Sequence, residues 1–464
     1  MAYPAKYSNH RAQSHSNSEI ASTDDQPNSR RRSGSEDDLY GRGRSTFYVP
    51  NRNNHEFKSY LLSGKIEKPW IEDKKYKAPR KGNWYILGGL VLAIVLSAIV
   101  NWRVAVGIPK HDYCLVLDDS FQTLDTSVWS HQVQVDGFGT GSFDWTTTDS
   151  RNAFTDEDGL HIVPTFTSAT TNITEAQIHN GYHLNLTRTH AGDGTCTANV
   201  TGQYYNEECS IYSNISTLAI VNPVRSARLT TQGSKSIKYG RVEVVAKVPK
   251  GDWLWPAIWM MPDDSVYGIW PLSGEIDIME SRGNSRSYSN GGRQTMSSTL
   301  HWGTSWKTDN WFRTTHSHTI QRTDYSEGMH TFGLEWSQKY LYTWVDNQLQ
   351  QVLYVDFKKQ DLWDRGHFQG QFENGTLLTN PWYISGNNNA PFDQKFYLIL
   401  NVAVGSRNGW FVDGVGDKPW VDGRDSSASD FYAARDEWEP TWAPGNERGM
   451  TVKSVKMWQQ GKCE

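Results

Sequence analysis

The chain has 464 residues, a net charge of −5 and 13% aromatic residues. The charge is split: residues 1–83 hold 16 Lys and Arg against 10 Asp and Glu, which leaves the remainder at −11. An acidic, Trp-rich remainder argues against nucleic acid and other polyanions as ligands and is compatible with a neutral one.

Residues 1–83 are rich in Ser, Asn, Arg, Asp and Gly and show little hydrophobic periodicity, so they read as a disordered tail. Arg30-Arg-Arg32-Ser33 followed by Glu36-Asp-Asp38 suits a phosphorylation or sorting signal, and equally an ordinary solvated stretch. Trp84 to Val100 is then an apolar run of 17 residues without a charge. As a helix it is about 25 Å long. Extension to Val106 reaches the ~30 Å of a bilayer core, with Trp102 at the interface. A transmembrane helix is expected over residues 84–106. It divides a tail, 1–83, from a C-terminal domain, 107–464.

Lys74, Lys75, Lys77, Arg80 and Lys81 precede the span, and the basic excess places that side in the cytosol. Asn-x-Ser/Thr sequons occur at Asn172, Asn185, Asn199, Asn214 and Asn374, all beyond the span. They fit a luminal or extracellular C-terminal domain of a single-pass, type II protein. All four cysteines lie on that side as well. Cys196 and Cys209 would close a local loop, and Cys114 and Cys463 would tie the domain ends, although four cysteines allow three pairings. A monomer is expected.

From Cys114 onward the pattern is of short strands and turns. Arg241–Val248, a hairpin across Lys339–Tyr354 around Asp346-Asn347, a nearly continuous apolar strand Lys395–Val404 and a last strand Thr451–Trp458 predict an all-β sandwich. Residues 165–217 carry four sequons and two cysteines in a Thr/Asn-rich composition, and read as an irregular insertion near a cleft. Of 21 Trp, 18 lie beyond residue 102, more than a core requires. Flat aromatic faces suit the C–H faces of pyranose rings.

The central stretch is Gly274-Glu275-Ile276-Asp277-Ile278-Met279-Glu280-Ser281. Acids alternate with apolar residues, as on a strand with one wet face. Glu275 and Asp277 share that face, but Glu280 is out of phase. One extra residue, a β-bulge near Ile278-Met279, returns Glu280 to the same side. The two Glu Cα atoms then lie roughly 13 Å apart. Inward-leaning side chains can approach the ~5–5.5 Å carboxylate gap of a retaining glycosidase. Mutual repulsion and burial against Trp raise at least one of these pKa values. Glu275 is expected to be the ionised nucleophile and Glu280 the acid and later base, with Asp277 tuning Glu275. No metal or other cofactor is expected, because no His cluster has zinc-ligand spacing.

This stretch resembles the signature of the family 16 glycoside hydrolases in its bulged, laminarinase-like form. Trp255-Pro-Ala-Ile-Trp259-Met-Met-Pro262 and Ser298-Thr-Leu-His301-Trp302-Gly303 resemble the family, as do His330–Trp336 and Phe396–Gly405. The resemblance covers roughly residues 115–464 and implies a concanavalin A-like jelly roll of two curved antiparallel sheets. The arrangement is also similar to fungal type II membrane proteins associated with β-1,6-glucan assembly. The expected substrate-binding residues are Trp255, Trp259, Trp270, Arg282, Asn284, His301, Trp302, Asn401 and Trp410. The resemblance puts His301 in the cleft near Asp277. A β-glucan is the expected partner. Hydrolysis of β-1,3 or mixed linkages, transglycosylation, and binding without turnover all remain compatible with the sequence.

Overall fold

The computed structural model describes residues 63–107, 110–188, 191–198 and 205–463. The expected tail through residue 62 and the sequon at Asn199 lie outside them. The chain divides between Lys110 and His111 into two units. The first contains one long helix, Lys74–Gly107, which starts well before the apolar run itself. Its segment Lys81–Val106 is long and apolar enough to cross a membrane. Every residue from Trp84 to Val106 is exposed.

The second unit is a sandwich of two large antiparallel sheets, each of eight strands. One sheet runs Thr315–Thr319, Thr295–His301, Glu275–Ser281, Leu254–Pro262, Phe396–Val404, Arg228–Thr230 and Ser130–His131, with Ser236–Ile237 beside Phe396–Val404. It bears the cleft. The outer sheet runs Asn347–Asp356, Tyr340–Val345, His330–Trp336, Gly240–Lys247, Met450–Gln460, Gly159–Ile162 and Ala153–Asp156, with Tyr113–Asp119 beside Met450–Gln460. The fold is therefore the β-sandwich that the strand pattern predicts, and the jelly roll that the family resemblance implies.

Period-two alternation builds the core. Val242, Val244 and Ala246 of one sheet and Ile276, Met296 and Leu300 of the other belong to one buried apolar cluster. Strand Phe396–Val404 is buried on both faces. Phe396, Leu398, Leu400, Val402 and Val404 enter the main core, while Tyr397 and Ile399 join Met261, Trp259 and Trp270 in a second cluster. The hairpin turns at Asp346, whose φ of 58° is the left-handed conformation a tight turn needs.

Two disulfides are present. Cys114–Cys463 joins the ends of the sandwich, and Cys196–Cys209 closes a loop in the insertion. The described part of residues 165–217 is less irregular than its composition suggests. It forms short helices at Thr167–Thr170, Glu175–His179 and Tyr205–Cys209. Phe166 stacks on Trp442, and Glu175 accepts from Tyr432 and Arg435, so this segment packs on the chain near residues 432–442. None of its described residues lines the cleft.

Candidate active site

The strand register places the three acids on one face. Glu275 lies opposite His301, Asp277 opposite Thr299 and Glu280 opposite Ser297. Residues 297, 299 and 301 alternate with core residues and so share a face. The register slips between Asp277 and Glu280, and the bulge at Ile278-Met279 absorbs the odd residue. A bulge leaves main-chain groups without ladder partners. Here the buried hydroxyl of Ser298 donates to the Ile278 carbonyl at 2.7 Å.

The acids sit in a cleft of about 800 Å³. Trp270 Nε1 donates to Glu275 at 2.6 Å, and Trp255 Nε1 donates to Glu280 at 3.0 Å. Trp259 Nε1 donates to Asn401 at 2.7 Å, which gives that amide, on an otherwise apolar strand, its polar partner. His301 lies with Nε2 3.4 Å from Asp277 and Nδ1 2.6 Å from Asp309.

Burial first, and the charge of Asp277 second, push the Glu275 carboxyl well above its usual range. Asp277 is raised by burial and then by Glu280. Two adjacent carboxyls that both resist ionisation share a proton, and hydrogen bonding between them favours that state. Burial pushes Glu280 up to about 7, against the pull of His301. Both glutamates keep part of their surface open to the cleft, so water tempers these shifts. His301 is raised well above 6.5: burial opposes its charge, but Asp309, Glu275 and Asp277 outweigh it. The site thus stores exchangeable protons near neutral pH, as acid–base chemistry needs.

Ten of the expected site residues line the cleft together: Trp255, Trp259, Trp270, Glu275, Asp277, Glu280, Arg282, His301, Asn401 and Trp410. Two expectations are corrected. Trp302 is fully buried in the core and donates to Thr314, because the residue after His301 faces the opposite side of the strand. Asn284 is buried and accepts from the Trp253 N–H, a loop-bracing role rather than a sugar contact. Two more are refined. Trp410 stacks on Trp255 at 4.9 Å and carries the Arg282 guanidinium 3.8 Å from its ring centre. Its faces are covered, so it buttresses Trp255 instead of offering a sugar platform. Arg282 donates to the carbonyls of Trp410 and Asn290.

Sequence reasoning missed Phe138, Arg228, Trp306, Asp309 and Trp311, which also line the cleft. The Arg228 guanidinium sits 4.0 Å from the Phe138 ring and 4.6 Å from the Trp259 ring. The run Gly137-Phe-Gly139-Thr-Gly141, with φ positive at all three glycines and at Phe138, was the available signal of a special loop. Among the described residues, Glu275, Asp277 and His301 bring ligand-type atoms within 4.8 Å of one another, as do Asp156, Asp158 and His161. Each His301 nitrogen faces a carboxylate, so the first set is an ion-pair network centred on the imidazole. In the second set His161 already bonds Asp156 on the outer sheet.

A β-sandwich with paired carboxylates on a bulged strand across a Trp-lined cleft defines the glycoside-hydrolase class of site. A model of glycosyl hydrolases family 16 matches residues 196–369. A β-1,3-glucan-binding protein of Penaeus monodon is 40% identical over 357 residues, 76% of this chain and 92% of its own length. Glucan endo-1,3-β-glucosidase A1 of Niallia circulans is 34% identical over 211 residues, 45% of this chain and 24% of that protein. The match to the laminarinase catalytic domain of Thermotoga maritima spans 76% of this chain and all of that domain, at 22% identity and a TM-score of 0.45. The chain belongs to glycosyl hydrolase family 16.

Proposed function

We propose that this protein is a membrane-anchored retaining glycosidase that cleaves internal β-1,3 or mixed β-1,3/1,4 glucan linkages. The observation that carries the reading is the bulge that turns Glu275, Asp277 and Glu280 to one cleft floor. Asp277 takes the proton the pair shares, and Glu275 attacks the anomeric carbon as a carboxylate. Glu280 protonates the departing oxygen. Its carboxylate then removes a proton from water, which displaces Glu275 with net retention. A sugar hydroxyl in place of that water gives transfer, and a wall-facing tether fits remodelling or assembly of β-glucan. The topology is type II, with the span at Lys81–Val106 and glycans on the sequons beyond it.

A second reading is a glucan receptor without turnover. It is favoured by one observation, the 40%-identical relative named as a β-1,3-glucan-binding protein. The full chain in detergent, incubated with laminarin, separates the readings. New reducing ends that Glu275→Gln lowers at least about 1000-fold support hydrolysis. Longer products support transfer. Saturable binding with no new ends in the unaltered chain sinks the enzymatic reading.

A further inference from the structure

Asp309 is a buried carboxylate that the reaction scheme above does not use. Its Oδ1 accepts from the main-chain N–H groups of Trp302 and Trp311, each at 3.2 Å, so it is fixed in place. Its Oδ2 lies 2.6 Å from His301 Nδ1. The other ring nitrogen, Nε2, is 3.4 Å from Asp277 Oδ2, a buried atom with no hydrogen-bond partner. A neutral imidazole with its proton on Nδ1 would aim a lone pair at that carboxylate. Two carboxylates, one at each nitrogen, therefore select the imidazolium.

The other charges around the ring are accounted for. Glu275 and Glu280 face it from the signature strand. Arg282 is engaged with Trp410 and Asn290, and Arg228 donates to Gln132 on the far side of Trp259. Tyr397, two strands from Glu275, feels that charge, but burial first raises its own pKa and keeps it neutral. Trp270 packs against the imidazole, with ring centres 5.7 Å apart, and donates to Glu275. His301 is thus the cation beside Asp277, and Asp309 is what orients it.

We propose that Asp309 is a positioning residue that holds His301 as an imidazolium with Nε2 toward Asp277, and so sets from outside the three acids the pH at which Glu275 becomes able to attack. This deepens the hydrolase reading and rests on it. The imidazolium favours loss of the proton that Glu275 and Asp277 share. Removing the charge of Asp309 makes that proton harder to lose, so the acid limb of turnover moves to higher pH.

The test is Asp309→Asn in the full chain. Amide and carboxylate have the same shape, so the two main-chain contacts persist. The acid limb of kcat/KM on laminarin is expected to move up by about one pH unit, with plateau kcat down about tenfold and KM little changed. In 13C-histidine-labelled protein, with His301→Gln assigning the resonance, the His301 titration falls by at least one unit. Asp309→Glu restores part of both effects. Because His301→Gln removes the same cation, adding Asp309→Asn to it shifts the limb no further. An unmoved acid limb in Asp309→Asn, or an unmoved His301 titration, overturns the proposal. If the unaltered chain shows no turnover, the hydrolase reading fails instead, and the histidine titration still decides whether Asp309 holds the imidazolium.

Discussion

Glu280 shows at the scale of one residue how function opposes stability. Its carboxyl is pushed from an ordinary 4.5 up to about 7, chiefly by burial. A carboxyl whose folded pKa is raised makes the native state bind more protons than the unfolded one, so stability falls as pH rises between the two values. The penalty is absent below about pH 4.5, grows to about pH 7 and is constant above. Glu280→Gln keeps the Trp255 hydrogen bond and removes the charge. It is expected to abolish turnover on unactivated glucan yet to gain about 2 kcal/mol at pH 8, after allowance for cleft water. Melting curves for both proteins from pH 4 to 8 check this: the gap should close at pH 4. A gap independent of pH would mean that the burial cost of Glu280 is not the cause. The same scale shows what the sequence hides. Trp302 and Trp410 look alike in the sequence as substrate-binding residues. Strand alternation sends Trp302 into the core, and Arg282 covers Trp410 from a point 128 positions away. Asp309 carried no signal, because its meaning comes from a turn that folds back on His301.

At the scale of the element, the bulge was legible because the acids themselves report it. Acids at 275, 277 and 280 fit one face only if one residue is extra. The sandwich was legible for a related reason, since alternation such as that in Gly240–Lys247 fixes an inner and an outer face, while the jelly-roll form came from the family resemblance. The cleft wall was less so. Residues 137–142 and 306–311 reach it by loop geometry, which has no period to read. What holds the bulge is equally non-local: Ser298, one strand over, satisfies the Ile278 carbonyl. Ser298→Ala leaves that buried oxygen without its donor, at a cost of about 1–2 kcal/mol. Its larger consequence is expected in the chemistry. The bulge aims Glu280 relative to Glu275, so kcat on laminarin should fall about tenfold with little change in KM. Paired kinetics and urea unfolding check this. Lost stability with unchanged kcat would show that the rest of the sheet holds the bulge without the hydroxyl.

At the scale of the molecule, the sandwich is closed at its seam by pairing between its first and last strands. Tyr113–Asp119 pairs with Met450–Gln460, and Cys114–Cys463 clamps that pairing across 349 positions. Constraint of so long a loop removes much of the unfolded chain's freedom, which sets the stabilisation at about 3–5 kcal/mol. The clamp lies on the outer sheet and none of its residues lines the cleft, so it acts on stability and not on the acids. In Cys114→Ser with Cys463→Ser, the melting temperature should drop by several degrees while kcat/KM at 25 °C stays within about twofold. Cys196–Cys209 closes a loop of only 13 positions and restricts the unfolded chain less. The paired change Cys196→Ser with Cys209→Ser should therefore cost about 1 kcal/mol less than loss of the long-range bond. Reversal of that order would show that the insertion owes its structure to its disulfide, and not to the packing of Phe166 and Glu175 on the chain near residues 432–442.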